Sequence, residues 1–599
     1  MTITSFAAGT YRFDRQSASL VSMKSQLDGL ARQLSTGRTA ETYGGLGVGR
    51  TTSLSAHAAI SAQDGYLAAI TSAETRVKLT SASLTQLKSL SDSTRSNLTG
   101  IVASRNEALP ATTVQLAANN LSAAVDALNQ QAGGVYVFSG RATDTEPVVS
   151  QDAILNGVPA EGLDGLKTLI AEQKAADLGT AGNGRLEKTV TKETIVLSED
   201  SRAEARMNFG FSLLSASGSG SGALSAKVTE GAPPNVDLRF ASLPSEGAQV
   251  RVVVQDANGS QKTLDLTARA GEAGNAAGAF RIGATPEETA ANLKTALGGA
   301  AIASVQSATP PGLTATFSGG SPATASLAVD PTANPVAGDT ITLKLGLHDG
   351  TTKTITLTAA ATADKASTTT FAIGATAEIT TENLSRALDN ALKQAANTEL
   401  SASSTARASL NFFEGSPAAG LSPRRVAADG NGYAEAASAK TVIWYKGDTA
   451  SDPRASATVQ AGASRTVAIG AQANEEAIRR TLAGLAAVAA ESFTTATGTV
   501  DTARFEAVSG RAASLLTASE GQQSLEQLGT DFGLAASSMA NAKSVANTTK
   551  ATLQDSLDGV DTVSTEEVAA KLLSLQTQLQ ASYKVTSILS EMSLVNYLR

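Results

Sequence analysis

From Leu20 the apolar positions run Leu20, Met23, Leu27, Leu30 and Leu34, in alternating steps of three and four. That spacing returns each residue to one face of a helix and is the seam pattern of a coiled coil. Glycines interrupt it in "STGRTAETYGGLGVG". From about Ala56 a longer stripe resumes with Ile60, Leu67, Ile70, Val77, Leu84, Leu87, Leu98 and Ile101. Pro110 ends that helix or falls just past its end, and Val114, Leu121, Val125 and Leu128 form a third run. The other terminus mirrors this with Leu525, Leu528, Phe532, Met539 and Leu553. Ser564 and Glu567 then read as a capping box. The last helix carries Val568, Leu572, Leu575, Leu579, Tyr583, Leu589 and Met592, with Ile588 and Leu598 apolar but off the seam.

Stripes this narrow are unstable as lone helices. Any one of them suits an ordinary helical core, but neither end has a partner nearby in sequence. The N- and C-terminal helices are therefore expected to pair as an elongated antiparallel coiled-coil rod, with everything between them looped out. Phe6, Tyr11, Leu594 and Leu598 at the extreme ends point to termini that order on joining an assembly.

Between about 215 and 465 the period changes from 3.5 to 2. "SASGSGSGA" (215–223) reads as a flexible linker. "VRVVVQDANGSQKTLDLTA" (250–268) reads as a hairpin turning at Asn258-Gly259, and "ITLKLGLHDGTTKTITLTA" (341–359) repeats it 91 residues on, turning at Asp349-Gly350. "FRIGATPEETAANLKTAL" (280–297) and "FAIGATAEITTENLSRAL" (371–388) keep the same offset, so strand, turn and helix repeat together. "RTVAIGAQANEEAIRRTLAGL" (465–485) is a looser third copy. Ahead of the insert, "GGVYVFSG" (133–140) reads as two glycines stopping a helix, followed by a short strand.

The expected fold is α+β, a helical rod from both termini carrying small β-rich modules. Its expected divisions are 1–55 and 563–599 (terminal segments), 56–135 and 496–562 (the two rod halves), and 136–224 (a β region and linker). The repeats take 225–310 and 311–400, and an outer β module takes 401–495.

Composition narrows the chemistry. The 599 residues hold no cysteine, which removes disulfides, thiolate metal sites and a thiol nucleophile. Aromatics are 4% with one tryptophan, Trp444, so any core relies on small side chains. A net charge of −8 supplies no basic surface for nucleic acid, and no stretch suits membrane insertion. The N-terminus lacks the pattern of a cleaved signal peptide. The two histidines, His57 and His348, show no metal-ligand spacing. "GTAGNGRL" (179–186) lacks the preceding buried strand of a nucleotide loop and reads as a turn. Asn97 and Asn258 match a glycan acceptor pattern by chance, one in mid-helix and one in a hairpin turn. No catalytic motif occurs, and neither enzyme activity, a cofactor nor a metal is expected.

Leu575–Leu598, "LQTQLQASYKVTSILSEMSLVNYL", and Leu27–Arg38, "LDGLARQLSTGR", resemble the terminal helices of the flagellin superfamily. Within it, "GGVYVFSGRATDTEPV" (133–148) resembles a segment of the hook-associated protein 3 family. Tyr136, Phe138, Gly140, Thr143 and Pro147 hold the matching places, whereas Ser139, Arg141 and Val148 depart from the common choices. "VIWYKGDTASDPR" (442–454) is similar to a second segment of that family, through Trp444, Gly447 and Asp448. The resemblance implies a structural subunit of the bacterial flagellum, extracellular at the hook–filament junction and exported by the type III route without a cleaved signal. The partners it implies are like subunits in a ring, hook-associated protein 1, flagellin and an export chaperone. A filament flagellin is the alternative, and an unrelated surface fibre fits less well. The first two repeats are unusual for the family.

Overall fold

The structure is a computed structural model that describes residues 6–104, 109–416, 420–434, 440–450, 452–495 and 497–597, with the side chains of 6–13, 101–104, 109, 589–590 and 592–597 outside the description. It is 49% helix and 22% strand, a mixed α+β fold. The helices begin with α1 (Phe6–Thr36), α2 (Arg50–Ser104), α3 (Leu109–Leu128), α4 (Gln151–Asn156), α5 (Leu166–Leu178), α6 (Ala203–Asn208) and α7 (Pro286–Ala296). They continue with α8 (Ala377–Ala395), α9 (Ser401–Phe413), α10 (Glu476–Ala489), α11 (Thr502–Leu515), α12 (Leu525–Asp561) and α13 (Thr565–Tyr597). Two compact units result: Met1–Thr75, Val459–Val467 and Ala535–Arg599 in one, Arg76–Thr458 and Ala468–Leu534 in the other.

In the first unit α1 and α13 run antiparallel. Arg38 bridges Thr562, the Thr39 amide donates to Asp561 O at 2.8 Å, and Gln16 Nε2 donates to Thr586 Oγ1 at 3.2 Å. The early part of α2 pairs with α12 through Asp64–Lys550 at 2.5 Å and Glu74–Lys543 at 2.8 Å. One number rises as the other falls, so this pair is antiparallel too. The glycine interruption forms a 3₁₀ turn, Tyr43–Gly49. A Cβ on Gly49 would lie 2.6 Å from Val560, so close helix approach excludes a side chain there. At Ser564 only half of the capping box forms. Ser564 Oγ accepts from the Glu567 amide, but the Glu567 carboxylate pairs with Lys571, one helical turn on, instead of reaching back.

The second unit has a helical centre where an outer β module (401–495) is expected. There α9 and α10 are buried nearly all round, and α10 packs on α3, α9 and α11. The sequence of α9, "SASSTARASLNFF", hides its burial because serine, threonine and alanine fill most of its enclosed positions. Its hydroxyls bond back along the helix: Ser404 to Leu400 O, Thr405 to Ser401 O. One π turn, Ala396–Leu400, joins it to α8. The segment 136–224 likewise holds α4, α5 and α6, whose short lengths hide their period.

The early strands are β1 (Gln131–Ala132), β2 (Val135–Tyr136), β3 (Gly157–Val158), β4 (Leu163–Asp164), β5 (Glu187–Thr191), β6 (Thr194–Ser198), β7 (Ser212–Ser219) and β8 (Leu224–Thr229). Next come β9 (Asn235–Phe240), β10 (Gln249–Gln255), β11 (Gln261–Arg269), β12 (Ala279–Arg281), β13 (Ala301–Ser307) and β14 (Leu313–Ser318). After these lie β15 (Thr324–Val329), β16 (Thr340–Gly346), β17 (Thr352–Ala360) and β18 (Thr370–Ala372). Residues 215–219, expected in a linker, belong to β7, which pairs with β16. Small side chains suit it, because β8 turns back so closely that a Cβ on Gly218 would lie 2.2 Å from Leu224 O.

These strands build two modules. One has the sheets β12-β11-β10-β13 and β14-β9 with α7; the other has β18-β17-β16-β7 and β5-β6-β15-β8 with α8. Their cores are separate. Leu238, Phe240, Val250, Phe280, Leu293 and Leu313 fill the first, and Leu197, Leu213, Leu327, Leu343, Phe371 and Leu388 the second. Equivalent caps recur: Thr285 and Thr376 accept from the amides of Glu288 and Ile379. The modules do not divide at 310/311. The first lies wholly between β8 and β15, so the second is interrupted by it. The looser copy at 465–485 forms no such module: its strand lies in a two-stranded hairpin (458–462 with 465–468), and α10 packs among helices.

Candidate functional site

The two motif segments meet in the second unit, 300 residues apart in sequence. Gly133 and Gly134 (φ +62° and +83°) are the turn of the β1–β2 hairpin rather than the end of a helix, since α3 stops at Leu128. Past it the chain runs beside two other segments. Ser139 bridges Gln472, Val148 bridges Tyr445, the Gly140 amide donates to Ala471 O at 3.0 Å, and the Ala473 amide to Phe138 O at 2.9 Å. The Lys446 amide donates to Pro147 O at 2.8 Å and the Asp448 amide to Ser139 O at 2.9 Å. Backbone pairing thus holds outgoing residues 138–149 against returning residues 444–448 and 471–473.

Aromatic side chains fill this neck. Phe138, Trp444 and Tyr445 are at most 1% exposed, while Tyr136 is half-buried and its amide donates to Thr143 O at 2.8 Å. Trp444 meets Phe413 edge-on at 5.2 Å and donates its Nε1–H to Phe413 O at 2.9 Å. The Tyr445 hydroxyl donates to Asp448 O at 2.8 Å, and burial pushes its pKa upward. Glycine is required at two places. Gly140 sits at φ +62° with Asp448 and Gln472 3.0 Å from a built Cβ, and a Cβ on Gly447 would lie 2.4 Å from the Tyr445 hydroxyl. Close by, Arg454 pairs with Glu475 and lies over the Phe532 ring at 4.3 Å. Burial raises the Glu475 carboxyl despite that partner. Phe413, Gln472 and Glu475 carry no motif, and only the scarcity of aromatics singles out Tyr445 beside Trp444.

The seam residues divide by depth. Ile70, Val77, Leu84, Leu528, Phe532, Met539 and Leu575 are buried; Leu20, Leu27, Leu30, Leu572 and Leu579 are half-buried. Leu34 and Tyr583, expected on the seam, are 38% and 54% exposed. Two paired helices cover only one line of each other, so residues a turn aside stay open. The Leu589 side chain and Leu598 lie outside the described residues. The first unit also exposes Val21, Val48, Leu54, Val585 and Ile588.

The histidines lie in different settings. His57 faces Asp561 at 3.1 Å. His348 is buried, its Nδ1 3.0 Å from Gly259 O, and burial followed by the charge of Arg407 lowers its pKa to about 4. Among the described residues no cluster of three His, Asp or Glu stands ready to hold a metal ion. The loop 179–186 folds into turns that seat Arg185 against Asp200 at 2.7 Å. No helix is long and apolar enough to cross a membrane among the described residues. No family model and no curated protein matches the chain.

Proposed function

We propose that this chain is a structural subunit of the bacterial flagellum, a hook–filament junction adaptor whose ring of like subunits joins hook-associated protein 1 to flagellin. The observation that carries the reading is the neck, where the two segments resembling hook-associated protein 3 are buried against each other. Apolar side chains left open on the paired terminal helices supply contacts for neighbouring subunits, each weak and repeated around a ring. Export by the type III route, held by a chaperone until assembly, belongs to the same reading. Filament flagellin is the second reading: the terminal helices suit either polymer, and only the neck favours the junction.

Immunogold electron microscopy of intact cells with antibody to residues 225–400 separates the two. Label at one spot where hook meets filament is the expected result; label along the filament would make the chain a flagellin. Removing residues 575–599 should leave a soluble chain that no longer assembles. A truncated chain that restores filament attachment would refute the role of the terminal helices.

A further inference from the structure

The duplication is wider than its hairpin and helix. β7 and β13 begin at 212 and 301, β8 and β14 at 224 and 313, β9 and β15 at 235 and 324, an offset of 89 residues each time. Two more residues before β16 than before β10 carry the offset to 91 (249 to 340). The duplicated unit therefore runs from β7 to α7, and again from β13 to α8. Neither copy closes on itself. Hairpin β7–β8 of the first copy pairs with β16 and β15 of the second, and hairpin β13–β14 of the second pairs with β10 and β9 of the first. The registers are equivalent: Lys227 opposes Ser326, and Thr316, 89 residues after Lys227, opposes Asp237, 89 residues before Ser326.

The chain crosses between modules at 230–234, "EGAPP", and 319–323, "GGSPA". Ala232 and Ser321 exchange backbone hydrogen bonds at 2.9 and 3.0 Å. Gly231 and Gly320 occupy equivalent places. A Cβ on Gly231 would lie 2.4 Å from Ser321 O, and one on Gly320 2.7 Å from Ala232 O. Each glycine is demanded by the other crossing segment. Pro233 and Pro322, again equivalent, bias the residue before them to extended backbone.

We infer that the β region is a hairpin-exchange element, and that its partner outside the chain is a second copy of this chain. The acceptor β15–β16 already receives a hairpin donated across a crossover. The same hairpin from another chain offers identical side chains in identical register, so relative concentration decides which one docks. This inference rests on strand pairing and is independent of the flagellar reading.

The chain has no cysteine, which allows a clean test. Lys227 and Ser326 are both exposed, and opposed antiparallel residues have Cα atoms about 4.5–5.5 Å apart, within disulfide reach. Full-length chains carrying Lys227→Cys alone and Ser326→Cys alone are denatured, mixed, refolded together and oxidised. Against an internal effective concentration on the order of 1 mM, about a tenth of chains at ~0.1 mM should form the mixed covalent dimer, and the fraction should rise with concentration. Mixing without denaturation, or pairing Lys227→Cys with Asp237→Cys, should yield none. The double variant Lys227→Cys/Ser326→Cys should cross-link within one chain at low concentration. Absence of that internal link would overturn the exchange itself. Its presence with no mixed dimer at any concentration up to ~1 mM would overturn the second copy as partner.

Discussion

Replacing Phe138 with alanine should loosen the neck, and the chain carries its own reporter for that event. Phe138 is 1% exposed, and its carbonyl accepts from Ala473 at 2.9 Å, so its side chain is fixed between the outgoing and returning segments. Losing the buried ring costs about 2–3 kcal/mol of transfer free energy. The backbone pairing around it limits collapse of the cavity, which brings the total to about 3–5 kcal/mol. That is a large part of the ~5–15 kcal/mol that holds a typical domain folded. Trp444 is the sole tryptophan, is buried in the same neck, and should shift to the red when the neck opens. The assay is urea unfolding followed by Trp444 fluorescence and, separately, by far-ultraviolet circular dichroism. In the Phe138→Ala variant the fluorescence midpoint should fall well below that of the native chain, while the circular dichroism of the remaining helices persists to higher urea. Phe138→Leu should lose only about 1–1.5 kcal/mol. A Phe138→Ala fluorescence transition within ~0.5 kcal/mol of the native chain would refute the neck as a packed unit.

Gly447→Val should displace the Tyr445 hydroxyl and lower the same fluorescence midpoint, whereas Gly510→Ala, with open space around it, should raise it or leave it unchanged. His348→Gln should flatten the acid side of the stability profile. The unfolded imidazole binds a proton below about 6.5 but the folded one only at about 4, so the neutral side chain's contribution is complete above 6.5 and is lost as pH falls toward 4. The native chain should lose about 3 kcal/mol more than the variant over that window in denaturant titrations; equal slopes would contradict it. Val21→Asp and Tyr583→Asp, at 67% and 54% exposed positions, should move the melting temperature of the single chain little yet impair polymerisation in vitro. Normal polymerisation would show that those side chains are not subunit contacts.

Local signals explain what the sequence shows and what it hides. The hairpins around Gly259 and Gly350 and the helices capped by Thr285 and Thr376 are legible, because turn, cap and period are all local. β7 is hidden because its small residues imitate a linker, and its partner β16 begins more than 100 residues later. α9 is hidden because small serine, threonine and alanine side chains fill most of its buried positions. At the neck, Trp444 and Phe138 stand out by rarity, but Gln472 acquires its role only by bridging the distant Ser139, and Glu475 only through its ion pair with Arg454. The seam of α1 and α13 is legible as a stripe. Whether Tyr583 lies inside it depends on how many helices surround it, which periodicity alone does not carry.

Both places where the chain leaves its helical centre or its own module are closed in the same way. At the outer neck, 139 pairs with 472 and 148 with 445; at the inner one, 229 pairs with 324 and 232 with 321. An insertion whose ends are opposed strands adds little closure entropy, since the cost grows only slowly with loop length once the ends are held. The glycines follow from this arrangement: 140, 231, 320 and 447 lie where backbone or side chain from the opposite strand comes within about 3 Å of a built Cβ or where Tyr445 folds over. Strain at such a neck is therefore set by the opposing segment rather than by the turn itself. Replacing Gly231 and Gly320 together should weaken the inner closure without unfolding either core, a result that separates closure from core packing.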